Sequence, residues 1–173
     1  MAFYAGWPKA WATFNLAKEV YADDAAPTAG GTASAAGSHG GFFGLGEPNA
    51  AFSQYFIGQS YLKPVSQPGA YLPIFNVTFE PGCRNNWHIH HASTGGGQVL
   101  ICIDGEGWYQ EEGKPAQALE PGDVVEIPAN VKHWHGAKAG SWFSHLAFEY
   151  PGEDCSNEWC EPVNDAAYSA LEE

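Results

Sequence analysis

Apolar and polar residues follow two different periods along this chain. Over residues 3–21, Phe3, Trp7, Ala10, Phe14, Ala17 and Tyr21 recur at alternating spacings of four and three, which is one face of an α-helix. Gly6 breaks the chain before it, and Pro8 falls in the first turn, where a missing N–H costs nothing. From Asp23 to about Gly46 the large residues almost vanish into Ala, Gly, Ser and Thr, the composition of a flexible linker. His39 lies inside it and is expected to be solvated.

Beyond Pro48 the period changes to two. Residues 51–65 read as one or two aromatic-rich strands. In the next strand Phe75, Val77 and Phe79 share one face, and Asn76, Thr78 and Glu80 the other. Turn signals then recur at short intervals: Asp104-Gly105-Glu106-Gly107, Glu112-Gly113-Lys114-Pro115 and Pro121-Gly122-Asp123. Residues 142–150 read as a last long strand, followed by a tail with a short acidic helix, DAAYSALEE, expected to cap the packing. Short strands between frequent turns predict a sandwich or barrel. The expected organisation is a helix over 1–22, a linker over 23–47 and a β domain over 48–173.

Composition supports the β reading, with 21 Gly and 12 Pro among 173 residues and only 16% charged. Seven Lys plus Arg against twenty Asp plus Glu, a net charge of −13, argue against a nucleic-acid-binding face. No stretch is apolar enough to cross a bilayer and no leader pattern opens the chain, so a cytoplasmic protein without membrane partners is expected. The four cysteines show no CxxC spacing and are expected to be free thiols, Cys102 as part of the core.

The chemistry is concentrated in two stretches. His88 and His90 are two apart after Gly82, and His133 and His135 repeat the pattern after Gly122 and a Val-Val-Glu-Ile-Pro run. On strands, each pair turns both imidazoles to one face, so two such strands facing each other would bring four imidazoles into one cavity. A single such pair on a strand is common without a function; the repetition is what carries weight.

Gly82, His88, His90 and Gly105, then Gly122, Pro128 and His133, resemble the two motifs of the cupin superfamily, with Asn130 where that family usually has Gly. Asn tolerates the same positive φ. The resemblance implies an all-β, double-stranded β-helix, a jelly-roll barrel that here follows the N-terminal α-helix. It implies a metal held by His88, His90 and His133, with Gln98 at the position of the family's acidic ligand after a longer loop. A subset of small bacterial cupins, with Gln at this position and a HWHGA second motif, resembles this chain. Three imidazoles and an amide would leave a divalent ion its full charge, a strong Lewis acid. The resemblance points to Mn or Fe, with Zn, Ni or Co as further possibilities.

In the Gln-type cupins, which include hydroxynitrile lyases, the histidines matching His135 and His145 are acid/base groups. Each could equally be an ordinary buried histidine. Arg84, the sole arginine, shares the face of His88 and His90 if the strand is regular; it then clamps a substrate carboxylate or forms a rim salt bridge. Tyr61 is a further candidate for substrate binding, with core packing as its alternative. Trp87, Trp134 and Trp142 are expected to pack.

Residues 1–22 also resemble the last helix of the carboxymuconolactone decarboxylase family, without that family's upstream catalytic residues. The expected activity is therefore that of a metal-dependent cupin acting on a small oxygenated molecule as a lyase, decarboxylase or isomerase. A dioxygenase and a non-catalytic binding module are the alternatives. The helix's aromatic face predicts a homodimer.

Overall fold

The computed structural model describes residues 39–171. The expected N-terminal helix, its family resemblance and the dimer expectation built on it lie outside these residues. In chain order the strands are β1 (Glu47–Pro48), β2 (Phe56–Ile57), β3 (Ser60–Pro64), β4 (Phe75–Phe79), β5 (Arg84–Asn85), β6 (His88–His91), β7 (Thr94–Gly95) and β8 (Gln98–Gly105). They continue with β9 (Gly107–Glu111), β10 (Gln117–Leu119), β11 (Val124–Ile127), β12 (Lys132–Ala137), β13 (Phe143–Glu149), β14 (Gly152–Glu153) and β15 (Ser156–Trp159); a short helix, α1 (Asp165–Ser169), follows.

Two antiparallel sheets face each other. One runs β1-β3-β4-β13-β8-β11; the other runs β10-β9-β12-β5-β2, with β6 bridging β12 to β15. Phe75, Val77 and Phe79, expected on one face, and Cys102, expected in the core, are buried, and with Leu100, Val125, Ile127 and Phe143 they form one cluster between the sheets. Burying a large apolar side chain contributes roughly 1.5–3 kcal/mol, so this cluster holds the barrel closed. All four cysteines are free.

The polar face of β4 is covered rather than solvated. The end of the expected linker, residues 39–46, folds over it: the Asn76 side chain donates to the Gly40 and Gly44 carbonyls. Asp104 accepts from the Gly40 and Gly41 amides. His39, expected in solvent, stacks on Trp142 at 3.9 Å between ring centres. Small residues that look like a linker also suit a segment whose backbone lies close against a sheet.

The tail contributes more than a cap. Beyond β13, expected to be the last strand, β14 pairs with β7 and β15 pairs with β6. Outside the barrel, Trp134, Val163 and Tyr168 form a second small core against Trp87 and Trp108. The Tyr168 hydroxyl donates to the Ala137 carbonyl at 2.7 Å, and the Asn164 side chain caps α1 by accepting from the amides of Ala166 and Ala167.

Candidate metal centre

Strand β6 presents His88 and His90 to the interior, and β12 brings His133 directly opposite His88. The turn before β12 explains why it arrives there. Asn130, at the position expected to need positive φ, has φ 66°, and its side chain ties the turn to Ala92 by accepting from its amide and donating to its carbonyl.

His88, His90 and His133 are all buried, and one nitrogen from each falls within 4.8 Å of the others. The geometry fixes which nitrogen is free. His88 Nδ1 donates to the Asn86 carbonyl and His133 Nδ1 to the Val131 carbonyl, both at 2.9 Å. His90 Nδ1 lies 3.0 Å from Asn157 Oδ1 and 2.9 Å from Glu149 Oε1. With every Nδ1 carrying a proton, each Nε2 keeps a lone pair. His90 Nε2, His133 Nε2 and Gln98 Oε1 are buried without a hydrogen-bond partner among the described residues. Three buried acceptors left unpaired would be a costly arrangement unless something else engages them. A cation is the group that this donor set fits.

Burial and mutual repulsion keep the rings of His88 and His133 uncharged and ready to ligate. His88 is pushed well below the usual histidine range by burial and by its neighbours His133 and His90. His133 is lowered to about 3, chiefly by burial and then by His90. A carboxylate nevertheless stands behind this neutral set: Glu149 lies against His90 Nδ1 and also accepts from the Asn157 side-chain amide at 3.2 Å. Alternation along β13 through His145 and Ala147 leads to Glu149, a signal that was present in the sequence.

His135 and His145 lie beside this cluster. Their rings are 4.7 Å apart, with 3.1 Å between His135 Nδ1 and His145 Nε2. Asn85 organises them. Its Oδ1 accepts from the His135 amide at 2.9 Å, which turns its Nδ2 toward the ring, 3.1 Å from Nε2. Asn85 Nδ2 also lies 3.3 Å from His135 Nδ1, and with Nε2 accepting across the shorter contact the His135 proton falls on Nδ1, facing His145 Nε2. Gly136 makes this approach possible: a Cβ there would stand 2.5 Å from Arg84 Cβ and 2.6 Å from the Cys83 carbonyl oxygen. Burial pushes His135 well below the usual histidine range and His145 down to about 4.

The adjoining cavity has a volume of about 60 Å³. Gln98, Asn85 and the histidines line one side; Phe52, Phe56, Leu62 and Trp159 give it an apolar wall.

Two predicted binding residues are elsewhere. Arg84 points out of the barrel, where it pairs with Asp165, donates to the Gly82 carbonyl and stacks over Tyr168 at 4.2 Å. The assumed alternation fails because β5 and β6 are separated by Asn86 and Trp87: Asn85 and His88, three apart, both line the cavity. Tyr61 donates to Glu80 at 2.8 Å from the outer face of β3. Asn157 and Trp159 escaped the sequence reading entirely, since nothing in the tail's local pattern marks it as a wall of the cavity.

The comparisons agree with this architecture. A profile described as "Cupin domain" matches residues 75–142. An (R)-mandelonitrile lyase from Granulicella tundricola is 37% identical over 118 residues, covering 67% of this chain and 87% of that protein. The crystal structure of a cupin-like protein from Thermotoga maritima superposes with a TM-score of 0.63 at 37% identity, covering 74% of this chain and 94% of the other. A cupin 2 conserved barrel domain protein from Rhodopseudomonas palustris shares the fold at 16% identity, with a TM-score of 0.53 and coverage of 73% and 83%. Sharing more than a third of its aligned residues with the lyase and with the cupin-like protein, and its barrel with the latter, the chain belongs to the cupin superfamily.

Proposed function

We propose that this cupin is a metal-dependent lyase that forms a carbonyl from a small hydroxylated substrate, with cleavage of a 2-hydroxynitrile to an aldehyde and cyanide as its reaction. The carrying observation is the set of three histidines with Nε2 free, beside a second, hydrogen-bonded histidine pair. The relative named as a mandelonitrile lyase supports the reaction class.

His88, His90 and His133 would hold the ion, Mn(II) or Fe(II), with Gln98 as fourth ligand. The bound ion supplies a Lewis acid that favours an oxygen with developing negative charge. The remaining work falls to the chain. The substrate hydroxyl proton passes to His135 Nε2, in place of the hydrogen bond from Asn85. The Nδ1 proton of His135 can then move to His145 Nε2, so the two rings share one positive charge. The former O–H pair forms the carbonyl π bond, the carbon–carbon bond breaks, and cyanide leaves with its electron pair and collects the shared proton. Phe52, Phe56 and Trp159 exclude water and pack the apolar part of the substrate.

The test is metal analysis of protein purified without added metal, followed by assay of aldehyde and cyanide release from mandelonitrile and smaller hydroxynitriles. Stoichiometric Mn or Fe with metal-dependent release of both products is expected. A metal-loaded protein that releases neither would refute the reaction; one that takes up no divalent ion would refute the site.

A further inference from the structure

We infer that the C-terminal strand β15 is a positioning element of the metal centre, with Asn157 orienting His90 and Trp159 orienting His88. This rests on the reading that His88, His90 and His133 hold a divalent ion. The register is one to one: Asn157 lies opposite His90 and Trp159 opposite His88.

The reason these partners matter is that an imidazole turns easily about its outer torsion. His88 and His133 are held locally, each by a carbonyl two residues earlier, just ahead of its strand, Asn86 and Val131. His90 has no such local partner among the described residues. Its Nδ1 acceptors come from Asn157, sixty-seven residues away, and from Glu149. Asn157 acts twice, because its amide also donates to Glu149 Oε1 at 3.2 Å and so holds the carboxylate in place. Trp159 lies against His88 with 4.9 Å between ring centres and stacks on Tyr55 at 4.6 Å and 4°. The tail that carries both residues is fastened outside the barrel. The Trp87 amide donates to the Glu161 carbonyl and the Cys160 amide to the Trp87 carbonyl, while Arg84 holds Asp165 and Tyr168. This tail falls outside the matched cupin segment of residues 75–142. The chain therefore completes its metal centre with a strand beyond that segment.

Co(II) is the probe, bound to metal-free wild type, Asn157→Ala and Trp159→Leu. Affinity is read by chelator competition, ligand geometry by the visible ligand-field spectrum, and folding by circular dichroism and melting of the metal-free proteins. Partners of metal-bound histidines are typically worth about 10–100-fold in affinity. Asn157→Ala is expected near the lower end, about tenfold, because Glu149 remains as an acceptor. Its spectrum should change while its metal-free fold does not. Trp159→Leu keeps apolar packing and should alter the spectrum with a smaller loss of affinity, which carries the test if Asn157→Ala does not fold. Wild-type affinities with superimposable spectra in the folded variants would overturn the inference. Failure of the wild type itself to bind one Co(II) would overturn the metal reading and this inference with it.

Discussion

The two His-x-His strands are spelled alike and used differently. On β6 both histidines join the three-histidine cluster, each with Nδ1 donating and Nε2 turned inward. On β12 only His133 does so; His135, two residues further along, is bound to Asn85 and His145. Alternation puts all four rings on one inward face, but depth along the strand and the neighbours met there decide their chemistry. Three rings converge to leave lone pairs unpaired, and the fourth is taken up in a hydrogen-bonded chain. On the proposed function, the same motif yields ligands on one strand and, on the other, one ligand and one proton carrier.

The sharpest way to break this division is to remove one histidine of the second pair at a time. His133→Ala should abolish stoichiometric metal binding, seen by elemental analysis, because two imidazoles and an amide remain. His135→Ala should keep its metal and lose turnover on the order of 10²–10⁴-fold, the usual contribution of a positioned proton-transfer group. Equal metal loss in both variants would mean that the two strands are equivalent after all.

The histidine pair should also contribute, with His88 and His133, to the acid destabilisation of the metal-free protein. His145 is neutral in the fold, lowered to about 4, whereas in the unfolded chain it titrates near 6.5. Between those values the unfolded state binds the extra proton, so stability is complete above about pH 6.5 and falls as the pH drops toward 4. Across the whole window His145 accounts for roughly 3 kcal/mol. Urea unfolding at several pH values should therefore show a shallower acid slope in a folded His145→Asn variant than in wild type. Identical slopes would remove His145 as the buried neutral group. A smaller effect is expected for Asn85→Leu, which removes both the contact to the His135 ring and the acceptor of the His135 amide: turnover should fall on the order of tenfold or somewhat more, in line with two lost hydrogen bonds, with metal content unchanged.

Much of this division was legible in the chain. The paired Gly–His motifs announced the barrel and its cluster, and the two-residue offset of His135 already separated it from the ligands. Alternation from His145 also pointed to Glu149. What could not be read depended on contacts made at long range. Asn157 and Trp159 reach the site only because β15 pairs with β6, and residues 39–46 cover β4 through backbone groups that carry no sequence signature. Arg84 shows the limit of periodicity itself. The rule that side chains alternate holds within a strand, and Asn86-Trp87 interrupts the strand between Arg84 and His88.

That interruption gives the last and smallest test, on the neighbours Arg84 and Asn85. Asn85 faces the histidines, whereas Arg84 faces the tail, so their substitutions should separate activity from stability. The Arg84 side chain is 6% exposed but its partner Asp165 is 88% exposed, and solvent screening leaves that ion pair worth little. The buried stem and the cation over the Tyr168 ring contribute more, about 0.5–1 kcal/mol for the latter. Arg84→Ala is therefore expected to lower stability by about 1–2 kcal/mol, a shift of a few degrees in melting temperature, while the substrate KM stays at the wild-type value. A raised KM at unchanged stability would return Arg84 to the site. It would mean that the guanidinium leaves Asp165 for the substrate, and that the inward and outward faces of β5 are not as distinct as their contacts make them.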